Sequence, residues 1–158
     1  MADFGPDAVP EFGMETLIVR KTISATPERL FAAWIEPEQL QKWWGSAGVS
    51  CIGAEVDLRV GGHYRIGNQL PDGKLLWIVG EFEVIEPSRR LTYTWRLEGA
   101  SQAVERVTVH FEAQGEATEV IVTHERIPNI ALRDQHQHGW QECLEGLAEY
   151  LEASDARR

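Results

Sequence analysis

Positive charge is scarce in this sequence: 15 Lys and Arg stand against 25 Asp and Glu, for a formal net charge of −10. A chain this acidic repels phosphate backbones and anionic lipid headgroups, which excludes nucleic acid and membrane surfaces as partners. Cysteine is scarce too. The two present, Cys51 and Cys143, have no C-x-x-C or metal-ligand spacing, so no disulfide framework is expected and both read as reduced thiols of a cytoplasmic protein. No apolar run approaches transmembrane length, and no signal peptide is visible. The five His show no H-E-x-x-H or comparable ligand spacing. No Gly-rich loop leads into a helix, and Ser46, Ser50 and Ser101 lack the setting of a nucleophile elbow. Neither a metal nor a cofactor is therefore expected.

What is present is apolar patterning. Hydrophobic residues make up 43% of the 158, enough for one packed core, and six of them are Trp. The clearest pattern is at the carboxy-terminal end. Trp140, Cys143, Leu144, Leu147, Tyr150 and Leu151 recur at helical spacing, while Gln141, Glu142, Glu145, Glu149 and Glu152 fill the opposite side. A long amphipathic helix of this kind needs a broad apolar surface to cover.

The preceding strands supply one. Residues 1–13 lack periodicity and carry Gly and Pro, which predicts a disordered tail. Residues 14–155 read as a single domain. Thr16 to Ser24 is a first strand. Thr26-Pro27-Glu28 opens a helix with an N-cap, a first-position Pro and an acid in the first turn. Glu36-Pro37-Glu38 opens a second short helix carrying Leu40, Trp43 and Trp44, and Gly45 to Gly48 ends it. Strand-like alternation follows over Val49–Leu58, His63–Ile66, Leu75–Ile85, Leu91–Arg96, Val107–Phe111 and Thr118–Glu125. The turns between these strands are tight, Pro71-Asp72-Gly73 most plainly, so an antiparallel meander is expected. Pro128 ends the last strand.

Four stretches carry a family likeness. They are Ala25-Thr26-Pro27-Glu28-Arg29-Leu30-Phe31 with Trp34 and Pro37 through Gly45; Asp57-Leu58-Arg59-Val60-Gly61-Gly62; Glu86-Pro87 with Arg90-Leu91 and Thr94-Trp95; and His136, Gly139, Trp140, Leu144, Leu147, Tyr150 and Leu151. In this order and spacing the chain resembles the START-like superfamily (SRPBCC, helix-grip), and within it the bacterial single-domain homologues of the activator of the heat-shock-protein ATPase. The resemblance implies an α+β fold, with two short helices after the first strand and a curved antiparallel sheet wrapped around the long helix. It also implies an internal cavity. It implies no single activity, because the superfamily holds lipid carriers, hormone receptors, cyclases and chaperone cofactors.

Several residues are candidates for that cavity. Tyr64, Tyr93 and Trp95 are expected on the concave face, with Trp44, Trp77 and Trp140 nearby, and Cys143, Leu144 and Leu147 on the helix that closes it. For any one aromatic, ordinary core packing is the commoner role. On a continuous helix Arg133 and His136 share the face of Trp140 and can fix an anionic or carbonyl group of a ligand. The structural alternative has His136 bonded to a backbone carbonyl and Arg133 reaching out to water. His124 can serve as a general base or as a strand-end hydrogen-bond partner. Its face is open, because Val120-Ile121-Val122 is apolar on both parities. His110 and His138 are expected to face water.

The first expectation is a cytoplasmic binding protein for an apolar or aromatic small molecule, monomeric or homodimeric, with Trp43 to Gly48 placed as a lid. An enzyme of cyclase or hydrolase type using His136, Arg133 or His124 is the second. A chaperone-ATPase cofactor or stress-response interaction module is the third.

Overall fold

The computed structural model describes residues 14–45, 48–100 and 104–156. The tail expected over residues 1–13, Ser46 and Ala47 of the expected lid, and Ser101 lie outside them. Ten elements follow in order: β1 (Glu15–Ile23), α1 (Pro27–Ile35), α2 (Pro37–Trp43), β2 (Ser50–Val56), β3 (His63–Gln69), β4 (Leu75–Glu86), β5 (Arg90–Leu97), β6 (Glu105–Gln114), β7 (Ala117–Ile127) and α3 (Ile130–Ala156). Strand boundaries fall close to those read from the alternation. No helix among the described residues is long and apolar enough to cross a membrane.

Local chemistry starts and stops the helices where the sequence indicates. The Thr26 hydroxyl accepts from the Arg29 N–H at 3.1 Å, and Pro27 occupies the first turn of α1, where no N–H is needed. Glu36, in extended backbone, ends α1 and begins α2, again with a Pro immediately after. The Trp43 indole N–H then ties α2 back to the Ala33 carbonyl at 2.9 Å.

The seven strands form one curved antiparallel sheet in the order β1-β7-β6-β5-β4-β3-β2. Six strands make a meander, and β1 adds beside the last of them, so first and last strands are neighbours. Register breaks in β2, β4 and β7 mark bulges, which bend strands and help the sheet curve. Even-numbered residues of β3, of β4 up to Phe82 and of β7 up to His124 face inward, as do odd-numbered residues of β5 and β6. Tyr64, Ile66, Ile78, Phe82, Leu91, Tyr93, Val107, Val109, Phe111, Val120 and Val122 are accordingly buried in one core.

Helix α3 covers that face. Trp140, Cys143, Leu144, Leu147, Ala148 and Leu151 are all buried, and the helix packs on β1, β7 and α2. Gly146 lets it come close to α2: a β-carbon there would sit 3.0 Å from the Trp43 carbonyl oxygen. Burying Leu144, Leu147 and Leu151 stabilises the fold by about 1.5–3 kcal/mol each, before entropic losses.

Candidate functional site

The amino-terminal half of α3 touches β6 and β7 but leaves a gap against β3 to β5. A cleft of about 190 Å³ opens there, between α3 (Gln135, His136, Gly139, Trp140, Cys143), the chain after α2 (Trp44, Gly45, Val49) and strands β3 to β5 (Asn68, Leu70, Leu76, Ile78, Trp95, Leu97). Most of this wall is apolar or aromatic. The larger groove of about 480 Å³ over His63, Arg65, Glu81, Arg96 and Glu98 lies on the outer face, where His63 pairs with Glu81 and Arg65 with Glu98.

Three tryptophans shape the cleft. Trp44 and Trp140 meet edge to face at 5.5 Å, and Trp95 lies tilted against both, at 6.1 Å from Trp44 and 5.6 Å from Trp140. Trp44 donates its N–H to the Asn68 side-chain oxygen at 3.0 Å, and Trp140 donates to His124 Nδ1 at 3.0 Å. The Cys143 thiol forms part of the wall; burial pushes its pKa up to about 12, so it is a neutral apolar contact and not a nucleophile.

Behind this wall stands a buried polar cluster. Glu105 is 3% exposed and His124 is fully buried. Glu105 extends the inward stripe of Val107, Val109 and Phe111 by two residues and pairs across the sheet with Trp95. His124 lies opposite Val107 on the neighbouring strand, which brings its ring diagonally onto Glu105. One carboxylate oxygen of Glu105 is 2.7 Å from His124 Nε2 and 3.0 Å from His136 Nε2. The two imidazoles stack, with centroids 4.5 Å apart and planes 17° from parallel.

The proton positions in this cluster follow from Trp140. An indole N–H can only donate, so His124 Nδ1 must accept and the His124 proton sits on Nε2, aimed at Glu105. Burial alone would raise the Glu105 carboxyl, but the hydrogen bonds from His124 and His136 outweigh it and hold the group below the usual carboxylate range. Burial also pushes His124 down, against the opposing pull of Glu105, so that ring stays neutral.

Glu105, His124 and His136 also place potential ligand atoms within 4.8 Å of one another. The tautomer argues against a metal among them. A ligating histidine normally donates its second N–H to an acceptor, whereas the second nitrogen of His124 is itself the acceptor of the Trp140 N–H. Binding a cation through Nε2 would break that bond, so the group is better described as a hydrogen-bonded cluster.

The residues singled out in the sequence fall into three groups. Trp44, Trp95, His136, Trp140 and Cys143 line the cleft. Tyr64 and Tyr93 instead border a separate void of about 20 Å³ deeper in the core, with Tyr93 accepting from the Trp34 N–H at 3.2 Å. His124, Leu144 and Leu147 are sealed in the interior and line no part of the cleft.

Two expectations are corrected outright. Trp77 is odd-numbered in β4, so it points to the outer face, where it lies across Gly67 and under the Arg65 guanidinium at 4.1 Å. Arg133 turns from the cleft because the first turn of α3 looks onto the start of β1. There Arg133 reaches Glu15 at 3.5 Å and Asp134 at 3.5 Å. His138 is on the solvent side, paired with Glu142 at 3.1 Å. Glu105 and Asn68 were not anticipated. Both lie on the inward parity of their strands, and continuing that alternation past the last apolar residue would have exposed them.

Most of the chain has structural counterparts. A family model described as "Activator of Hsp90 ATPase homolog 1-like protein" matches residues 24–152. A crystal structure of a protein from Chromobacterium violaceum superposes with a TM-score of 0.79 at 28% identity, covering 87% of this chain and 96% of its own. An AHSA1 protein from Silicibacter pomeroyi gives 0.79 at 22% identity, with 89% and 99% covered. The solution structure of an AHSA1-like protein from Aeromonas hydrophila gives 0.73 at 24% identity, with 89% and 94% covered. No curated protein matches the sequence.

Proposed function

The chain belongs to the family of activator of Hsp90 ATPase homolog 1-like proteins, and within it we propose that this member binds an apolar or aromatic small molecule in the cleft between its sheet and α3. The observation that carries this reading is Gly139. Glycine inside a helix costs about 1 kcal/mol relative to alanine. At Gly146 close packing against α2 accounts for it, but a β-carbon at Gly139 would meet nothing within 4 Å. The space that Gly139 leaves open is the cleft itself, walled by Trp44, Trp95 and Trp140. Flat aromatic walls give a ligand large contact area at little entropic cost, and the cluster behind them holds the wall rigid. Activation of a chaperone ATPase, as in the family's description, stays with the proteins it was named for.

Tryptophan fluorescence titration with small aromatic compounds tests the reading, with native mass spectrometry as an independent check. Saturable quenching is expected for the wild type. Gly139→Leu should abolish it by filling the space, while circular dichroism shows the fold intact. Equal binding by the Gly139→Leu protein, or no saturable binding by the wild type to any compound tried, would end the proposal.

A further inference from the structure

The polar atoms left over in the cleft define what the ligand must carry, if the cleft is the binding site proposed above. Of its three tryptophans, Trp44 and Trp140 spend their N–H groups on Asn68 and His124. Trp95, only 9% exposed, has no hydrogen-bond partner for its N–H among the described residues. Its nitrogen is not among the fully buried, unpartnered side-chain atoms of the described residues, and the residue lines the cleft.

His136 supplies the complement. Its Nε2 lies 3.0 Å from the Glu105 carboxylate, which as an ionised group can only accept, so Nε2 carries the proton. In the neutral ring Nδ1 is then the nitrogen with the free lone pair, and it too has no partner among the described residues. The Trp95 and His136 rings meet edge to face, with centroids 6.0 Å apart.

We infer that the cleft selects an apolar or aromatic ligand bearing a hydroxyl group, which donates to His136 Nδ1 and accepts from the Trp95 indole N–H. Of the simple oxygen functions, a hydroxyl alone does both. A ketone or ether satisfies Trp95 only and leaves the imidazole lone pair unpaired. A carboxylate would bring a second negative charge toward Glu105. Size points to a small ring system: a cavity of about 150 Å³ holds a benzene, and this cleft is about 190 Å³ and open at one side. A phenol or naphthol is the simplest molecule that meets all three demands. Glu105, His124 and Trp140 act as positioning residues, since together they fix which nitrogen of His136 is bare.

The test compares 2-naphthol with 2-methoxynaphthalene on the wild-type protein by isothermal titration calorimetry. The two differ in one respect that matters here, because the ether accepts but cannot donate. The naphthol should bind about tenfold more tightly, the usual cost of leaving one buried partner unpaired. Trp95→Phe keeps the aromatic wall and removes the donor, so it should weaken both ligands by a similar factor and leave their ratio unchanged. His136→Leu should erase the ratio. If that variant fails to fold, the wild-type comparison still decides. Binding of the two ligands within about twofold of each other would overturn the inference and leave the cleft reading intact. Failure of both to bind up to their solubility would overturn the two together.

Discussion

Replacing Glu105 by Gln tests the buried cluster with almost no change of shape. The Glu105 carboxylate accepts from two imidazole N–H groups, at 2.7 and 3.0 Å. A hydrogen bond to a charged acceptor contributes about 1.5–3 kcal/mol, and one to a neutral acceptor about 0.5–1.5. Over two bonds, the loss of charge therefore costs roughly 2 kcal/mol. Against it stands the relief of no longer burying an ion. The direction of the Glu105 displacement says which is larger. Its carboxyl is held below the usual range despite burial, so the folded state favours the ionised form. Glu105→Gln should then destabilise by about 1–2 kcal/mol at pH 7.5, lowering Tm by about 2–8 °C. The pH dependence has a defined sign. A carboxyl depressed in the folded state contributes stability that is complete above its unfolded value of about 4.3 and is lost as pH falls through the folded value. The gap between wild type and variant should thus be flat near neutrality and close in acid. Urea denaturation from pH 7.5 downward reads it. A variant as stable as wild type at pH 7.5, or a gap that widens in acid, would refute the account of Glu105 as a net stabilising ion.

Three further substitutions probe the walls of the cleft. Trp140→Phe keeps an aromatic ring but strands His124 Nδ1 in a site with no exposure, so a loss of about 1–3 kcal/mol in urea denaturation is expected. Trp140→Ala should cost more, about 3–5 kcal/mol, and a Trp140→Phe protein as stable as wild type would contradict the hydrogen-bonding role. Gly139→Ala should do the opposite and raise stability by about 0.5–1 kcal/mol, because its methyl enters open space. A lower melting temperature for Gly139→Ala would mean that the space is not free.

Most of the fold was legible because its signals are local. Thr26-Pro27 and Glu36-Pro37 mark two helix starts by chemistry that acts within a few residues, and the stripe from Trp140 to Leu151 needs only one buried face to be read. Side-chain direction was harder where both faces of a strand are apolar. In β7, Val120, Ile121 and Val122 are all buried, so nothing in the sequence told which way His124 turned. In the structure the even positions turn inward, from Thr118, whose buried hydroxyl donates to the Ala25 carbonyl at 2.7 Å, to His124. Trp77 misled for the opposite reason. Its bulk suggested the core, but in β4 the inward positions belong to Ile78 and Phe82, and Gly80 there would put a β-carbon 1.9 Å from the Thr94 carbonyl oxygen. Glu105 was missed because an acid at the end of an apolar alternation reads as the point where a strand leaves the core. Only the two histidines brought to it from β7 and α3 make that position tolerable.

Helix α3 divides its work along its length. From Leu144 to Leu151 its inward face is aliphatic, fully buried and closed against α2 by Gly146. From His136 to Cys143 the same face carries an imidazole, a glycine, an indole and a thiol, and it borders empty space. A helix serving stability alone would gain by filling that space with leucine, as its second half does. The first half instead forgoes packing at Gly139 and holds an ionised carboxylate out of water to fix the proton of one histidine. The open space at Gly139 costs stability, and His136 and Gly139 fall within one turn of one another around the same cleft. Independent structural accidents have no reason to converge there, whereas a site that must stay open and present a defined ring nitrogen requires both.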